Sequence, residues 1–215
     1  MKLNEPFVIT ISREVGSGGR TVGRELAAKL GIHYSDKQLI DSLKEKFNLT
    51  SSGIEKLKGE KKNWLADLIQ YVAPVPKHNM LSEEEGKFAV EFRPEVSVKD
   101  VYEAEKEILN SIADEGSCVI AGRSGFFVLK DRPNKVDIFI TASLEKRIQR
   151  VVRKQGFTRE QAEAVIDSLD KTRDNYVQRY TGFSRYDARN YHLVINMDYL
   201  TEEEAVDLIL KYLGA

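Results

Sequence analysis

Apolar positions along this chain alternate between the spacing of strands and the spacing of helices. Phe7 to Ser12 (FVITIS) is a short, β-branched run, the pattern of a strand buried on both faces. Arg13 to Gly19 is rich in glycine and predicts a loop. In Thr21 to Leu30 the apolar residues Val22, Leu26 and Leu30 recur at helical spacing, and Gly31 predicts the stop. Ile32 to Ser35 reads as a second short strand, and Asp36 as the cap of a helix reaching about Phe47. The rhythm resumes with a helix over Val98 to Ala113, a strand over Ser117 to Ala121, a short helix after Gly122-Arg123-Ser124, and a strand over Val136 to Ala142. Ser143 is a natural cap for a basic helix that Gly156 ends. Thr158-Arg159-Glu160-Gln161 and Thr201-Glu202-Glu203-Glu204 have the form of capping boxes. The first predicts a long helix to about Tyr180, the second a C-terminal helix, with a last strand at His192 to Met197 between them. Five strands, each beside a helix, predict an α/β fold with a parallel sheet built from right-handed βαβ units.

Residues 48–97 break this rhythm. Ile54 to Tyr71 has an amphipathic helical pattern that suits a homodimer interface as readily as an acceptor pocket. Ala73-Pro74-Val75-Pro76 then ends regular structure. A long irregular stretch inside a domain predicts a functional flap, and we read it as a mobile insert. The 215 residues suit one domain, and 41% hydrophobic residues suffice for a core. The formal charge of −1, from 33 basic against 34 acidic residues, lacks the basic excess of a nucleic-acid-binding protein. One cysteine, Cys118, excludes an internal disulfide, and its apolar surroundings predict core filler. Met1-Lys2-Leu3-Asn4-Glu5-Pro6 shows no apolar signal region and no stretch is long enough to span a bilayer, so the expected location is the cytoplasm, with no membrane partner.

The most informative stretch is Ser12-Arg13-Glu14-Val15-Gly16-Ser17-Gly18-Gly19-Arg20-Thr21. A strand feeds a Gly-Ser-Gly-Gly turn and a helix follows at once. This arrangement aims backbone N–H groups at one anion with the helix dipole behind them. Gly16, Ser17, Gly18, Gly19, Arg20 and Thr21 are therefore candidate phosphate-binding residues, and the Thr21 hydroxyl sits where such loops ligate Mg²⁺. The standard pattern G-x-x-x-x-G-K-[ST] is altered. Set against bacterial cytidylate kinase, Arg13 falls on the first glycine, Gly18 on the second and Gly19 on the lysine, with Thr21 on the closing hydroxyl. Arg20, one position on, is the candidate substitute cation.

At this point the chain resembles the cytidylate-kinase-like family. Ile9-Thr10-Ile11-Ser12-Arg13 with Gly16-Ser17-Gly18-Gly19-Arg20 looks like its opening, and Leu30-Gly31-Ile32-His33-Tyr34-Ser35-Asp36 like its next block. Cys118 to Arg123, Leu129 to Pro133, Ile138 to Ser143 and Leu193 to Leu210 continue it, leaving only about residues 50–97 uncovered. The resemblance implies the P-loop kinase fold: a five-stranded parallel sheet flanked by helices, with a helical substrate-binding insert and a lid. The single domain would have its core at 1–47 and 98–215, its insert at about 48–97 and its lid at about 143–158. It also implies ATP and Mg²⁺, a small nucleotide as substrate, and transfer of the γ-phosphoryl to CMP, dCMP or a related acceptor.

Carried onto this chain, the resemblance puts Asp36 near the acceptor phosphate or a metal-bound water, and Arg123 at the acceptor phosphate. Arg147 and Arg150 share one face of the basic helix and match lid arginines, while Arg153 on the same face reads as solvated. Arg173 is the candidate from the long helix, with Asp170 and Arg179 behind it. The catalytic set is thus Arg20, Arg123, Arg147, Arg150 and Arg173, and the acceptor set Asp36, Arg123 and Arg173. The block Asp36-Lys37-Gln38-Leu39-Ile40-Asp41-Ser42 lacks the acceptor arginine of cytidylate kinase, and Ser124 replaces an aspartate. These departures keep open a kinase of another small molecule, or a nucleotide-binding regulatory protein weak in catalysis. His33, His78 and His192 show no metal-ligand spacing.

Overall fold

The computed structural model describes residues 1–36, 98–122 and 124–215. The expected helix after Asp36, the insert with its Ile54 to Tyr71 pattern, and Arg123 lie outside the described residues. The elements run β1 (Val8–Arg13), α1 (Gly19–Leu30), β2 (His33–Ser35), α2 (Val98–Asp114), β3 (Cys118–Ala121), α3 (Gly125–Val128), β4 (Lys135–Thr141), α4 (Leu144–Gln155), α5 (Arg159–Thr181), β5 (Leu193–Asn196) and α6 (Glu202–Leu213), with a 3₁₀ turn at Ala188–Asn190 before β5.

The strands form one sheet in the order β2-β3-β1-β4-β5. All neighbours are parallel: Ile9 pairs with Val119 and Val136, Tyr34 with Val119, and Ile140 with Ile195. Because the strands carry apolar residues on both faces, both faces are covered. Ile9, Ile11, Ile138, Ile140 and Ile195 pack against Val22 and Leu26 of α1 and Val206 and Ile209 of α6. Val8, Cys118 and Ile120 pack on the opposite side against Val101, Leu109 and Ile112 of α2. Burial of Cys118 pushes its thiol up to about 11, so it behaves as the small apolar filler its sequence context predicts. A third, smaller core joins Ile148 and Val151 of α4 to Ala162 and Ile166 of α5, and Val15 of the glycine-rich loop packs on it.

The local signals set the helix ends. Both capping boxes form, with the Thr158 hydroxyl accepting from the Gln161 amide and the Thr201 hydroxyl from the Glu204 amide. The Ser143 hydroxyl accepts from the Lys146 amide at the start of α4. His192 has a structural role, its Nδ1 accepting from the Asp137 amide at 3.0 Å. No helix among the described residues is long and apolar enough to cross a membrane.

Strand order positions the site. The chain leaves β1 toward β2, while β4 lies on the other side of β1. The carboxyl end of β1 is therefore a topological switch point, where open parallel sheets form their ligand crevice. The glycine-rich loop emerges there.

Candidate functional site

The loop turns at Gly16, with φ of 81°, and Gly18, with φ of 90°, in the left-handed region that favours glycine. Space is equally restrictive. A Cβ at Gly16 would stand 2.7 Å from the Arg147 carbonyl oxygen, so the start of α4 sits directly on the loop. Ser17 is buried and turns inward, its hydroxyl donating to the Glu14 carbonyl at 2.9 Å. No side chain caps α1. The Thr21 and Val22 amides close onto the Gly18 carbonyl at 2.9 and 3.1 Å, which leaves the Gly19 and Arg20 amides at the open helix N-terminus. Of the predicted phosphate-binding residues, the backbone thus arranges Gly16, Gly18, Gly19 and Arg20 around one turn, with the Thr21 hydroxyl beside it.

Two sets of charged side chains fix this loop. On its Val15 side, the buried Asp170 carboxylate of α5 accepts from the Val15 amide at 3.1 Å and from Arg147 at 2.6 Å. Arg173 and Arg185 approach the same carboxylate at 3.8 and 3.6 Å. Arg147 also donates to the Val15 carbonyl at 3.4 Å and lies 3.6 Å from Glu14. The Glu14 carboxylate in turn accepts from the Thr141 hydroxyl at the end of β4. Arg185 is buried and donates to the Arg13 carbonyl. Arg147 is thereby locked to the loop, and Arg173, with 41% of its side chain exposed, faces outward from the same cluster.

On the Thr21 side, the Arg150 guanidinium lies over Gly18, where an added Cβ would be 3.3 Å from its Cζ, and it donates to the Thr21 hydroxyl at 3.2 Å. Its other partner is Glu202, at the start of α6. Arg20 leaves the loop and pairs with Asp36, which also accepts from Arg13 at 3.2 Å. Asp36 therefore sits between two arginines at the carboxyl end of β2. Arg153 is exposed, as a solvated helix face requires.

A divalent ion held by protein alone does not suit this site: among the described residues no group of three or more His, Cys, Asp or Glu side chains could hold a metal. The Thr21 hydroxyl beside the glycine turn is one oxygen donor, which would suit Mg²⁺ only as an ion shared with nucleotide phosphates. Reading the sequence missed Arg13, Glu14 and Arg185 as site residues. Arg13 had a signal, a cation on a loop position normally held by glycine. Arg185 had none, because nothing local marks a loop arginine that folds back across the sheet edge.

The chain has the P-loop kinase fold. Its sequence matches the cytidylate kinase-like family over residues 8–199, and the chain belongs to that family. The cytidylate kinase of Ignicoccus hospitalis is 24% identical over 209 residues, 96% of this chain and 98% of that protein. A uronate isomerase of Corynebacterium glutamicum is 31% identical over 106 residues, 49% of this chain, and the match spans only 20% of that protein's length. Among solved structures, an uncharacterized protein from Eubacterium ventriosum superposes with a TM-score of 0.69 at 22% identity, covering 97% of this chain and 99% of that one. The shikimate kinase of Bacteroides thetaiotaomicron superposes with a TM-score of 0.52 at 15% identity, with the same coverages. Family and fold together support a kinase-like function on a nucleotide or another small molecule.

Proposed function

We infer that this chain is an ATP-dependent phosphotransferase of the nucleoside monophosphate kinase type, moving the γ-phosphoryl of ATP to CMP, dCMP or a related acceptor. The observation that carries the reading is a glycine turn at the switch point of the sheet, with Arg150 lying over it beside the Thr21 hydroxyl and with Arg13 and Arg20 paired to Asp36 next to it. Phosphoryl transfer needs little covalent chemistry from the protein and much positioning and charge stabilisation. The amides at the start of α1 would cradle the donor phosphates. Arg20 and Arg150 would bear on the donor phosphates from the open side of the loop, with Gly16, Ser17, Gly18 and Gly19 shaping it. Mg²⁺, bound with the nucleotide, would take the Thr21 hydroxyl as its protein ligand and neutralise phosphate charge. Asp36, Arg123 and Arg173 would face the acceptor. Arg147 would act by holding the loop and the α4 lid in one arrangement, since its guanidinium is already bound to Asp170 and Val15. The same site is compatible with cytoplasmic life and with no partner beyond small molecules; a homodimer is a further proposal.

The test is ADP formation from ATP and Mg²⁺ with CMP, dCMP, UMP, AMP and GMP offered separately. Turnover concentrated on CMP and dCMP is the expected result. Turnover with none of the five, while ATP still raises the melting temperature, would remove the nucleotide acceptor and leave another small acceptor or a regulatory nucleotide binder.

A further inference from the structure

Two departures from the standard phosphate loop, an arginine at its first glycine and a glycine at its lysine, have one steric cause. A Cβ built on Gly19 would lie 2.6 Å from the Arg13 Cβ, and 3.2 Å from both the Arg13 Cγ and the Ile140 Cβ. Non-bonded carbons prefer about 3.5–4.0 Å. Nor can the obstacle swing aside. The Arg13 Cβ is carried by the last residue of β1, held in register against Ile140 of β4. Lysine at position 19 is therefore excluded while residue 13 has a side chain, and position 13 needs glycine at 19.

The Arg13 side chain then crosses the carboxyl edge of the sheet. It passes Gly122 at the end of β3, where an added Cβ would meet its Nη1 at 2.0 Å. It reaches Asp36 beyond β2, donating from Nη2 to Oδ1 at 3.2 Å. Gly122, with φ of 83°, gives both the room and the turn this crossing needs. Arg185 holds the Arg13 carbonyl, so the backbone that aims the side chain is also fixed. Arg20 pairs with the same carboxylate, so two cations meet at Asp36 where the strand ends face the loop.

We propose that Arg13 supplies the cation of this phosphate loop, in place of the missing lysine, and that Gly19 is glycine in order to admit it. The proposal rests on the phosphoryl-transfer reading and moves the lysine's role from Arg20 to Arg13. A planar guanidinium donates to phosphate through two parallel hydrogen bonds, where an ammonium acts as a point charge.

The experiment is a reciprocal exchange in the full chain. Calorimetric titration with ADP and with tripolyphosphate, and a thermal melt, are run on the parent, Arg13→Gln, Gly19→Lys and the double variant Arg13→Gly with Gly19→Lys. Arg13→Gln is expected to weaken binding on the order of tenfold to a hundredfold, the loss of a charged hydrogen-bonding partner. Gly19→Lys alone is expected to lower the melting temperature and to bind poorly. The double variant is expected to melt higher and bind tighter than Gly19→Lys alone, because the 2.6 Å clash is gone and the lysine carries the charge, with only the 3.2 Å contact to the Ile140 Cβ left to relax. Unchanged binding in Arg13→Gln, or a double variant no better than Gly19→Lys, overturns the assignment while the parent's own binding keeps the phosphate loop. A parent that binds neither ADP nor tripolyphosphate overturns both.

Discussion

Arg147 and Arg150 stand three residues apart on α4, yet the two sides of the loop they touch are built for different ends. On the Val15 side every strong partner is a fixed part of the protein: Asp170 takes the loop amide and Arg147, and Glu14 takes Thr141. On the Thr21 side Arg150 shares a hydroxyl and a rim carboxylate, Glu202, whose side chain is 29% exposed. A buried charge needs its partner at all times, because nothing else can solvate it. A charge at the rim can exchange a carboxylate for a phosphate without leaving anything unpaired. The lesson is that helical spacing groups arginines by face, but their partners divide them: Arg147 is held by a buried carboxylate and Arg150 by one at the rim.

The sharpest attempt to break this comparison is Asp170→Ala. It strands Arg147, Arg185 and the Val15 amide in a buried site, so a loss of about 3–5 kcal/mol of unfolding free energy is expected in a urea titration. A loss below about 1 kcal/mol would mean that water already reaches the cluster. Next comes the pair Arg147→Met and Arg150→Met. Arg150→Met should lower kcat/KM on the order of a hundredfold with little change in melting temperature, whereas Arg147→Met should lower the melting temperature as well. Equal melting temperatures for the two would erase the division.

The glycines offer a finer contrast. Gly16→Ala meets the Arg147 backbone at 2.7 Å, while Gly18→Ala meets the movable Arg150 guanidinium at 3.3 Å. Both pay for positive φ, about 1–2 kcal/mol, but only Gly16→Ala also forces α4 away, so it should unfold at lower urea. The smallest effect is expected at Glu202. Burial pushes its carboxyl up, but the Arg150 hydrogen bond and a backbone amide outweigh burial and leave it below the usual carboxylate range. A depressed value means that this pair contributes stability above the unfolded carboxylate range and loses it as pH falls through the lowered value. Glu202→Gln should therefore melt slightly lower than the parent at neutral pH, by less than about 1 kcal/mol, and match it in acid. A gap that persists in acid would assign Glu202 a packing role instead.

Much of the fold was legible because its signals are local. The β-branched run at Val8–Arg13, the caps at Ser143, Thr158 and Thr201, and the stops at Gly31 and Gly156 all act within a few residues of themselves. The glycine turn between β1 and α1 was legible for the same reason: glycine spacing between a strand and a helix is a one-dimensional feature. Arg185 was invisible because its partners, the Arg13 carbonyl and Asp170, lie 172 and 15 positions away in the chain and meet only after the sheet edge is built.

By itself, then, the sequence determined the strand and helix order, the parallel sheet, and a glycine turn suited to phosphate. Tertiary structure alone decided which arginine serves which purpose. Arg13, Arg20, Arg147, Arg150 and Arg185 are alike in charge and reach. What separates them is the partner each finds when β1, β2, α4, α5 and α6 come together, and a partner's burial cannot be read from the spacing of the residues that surround it.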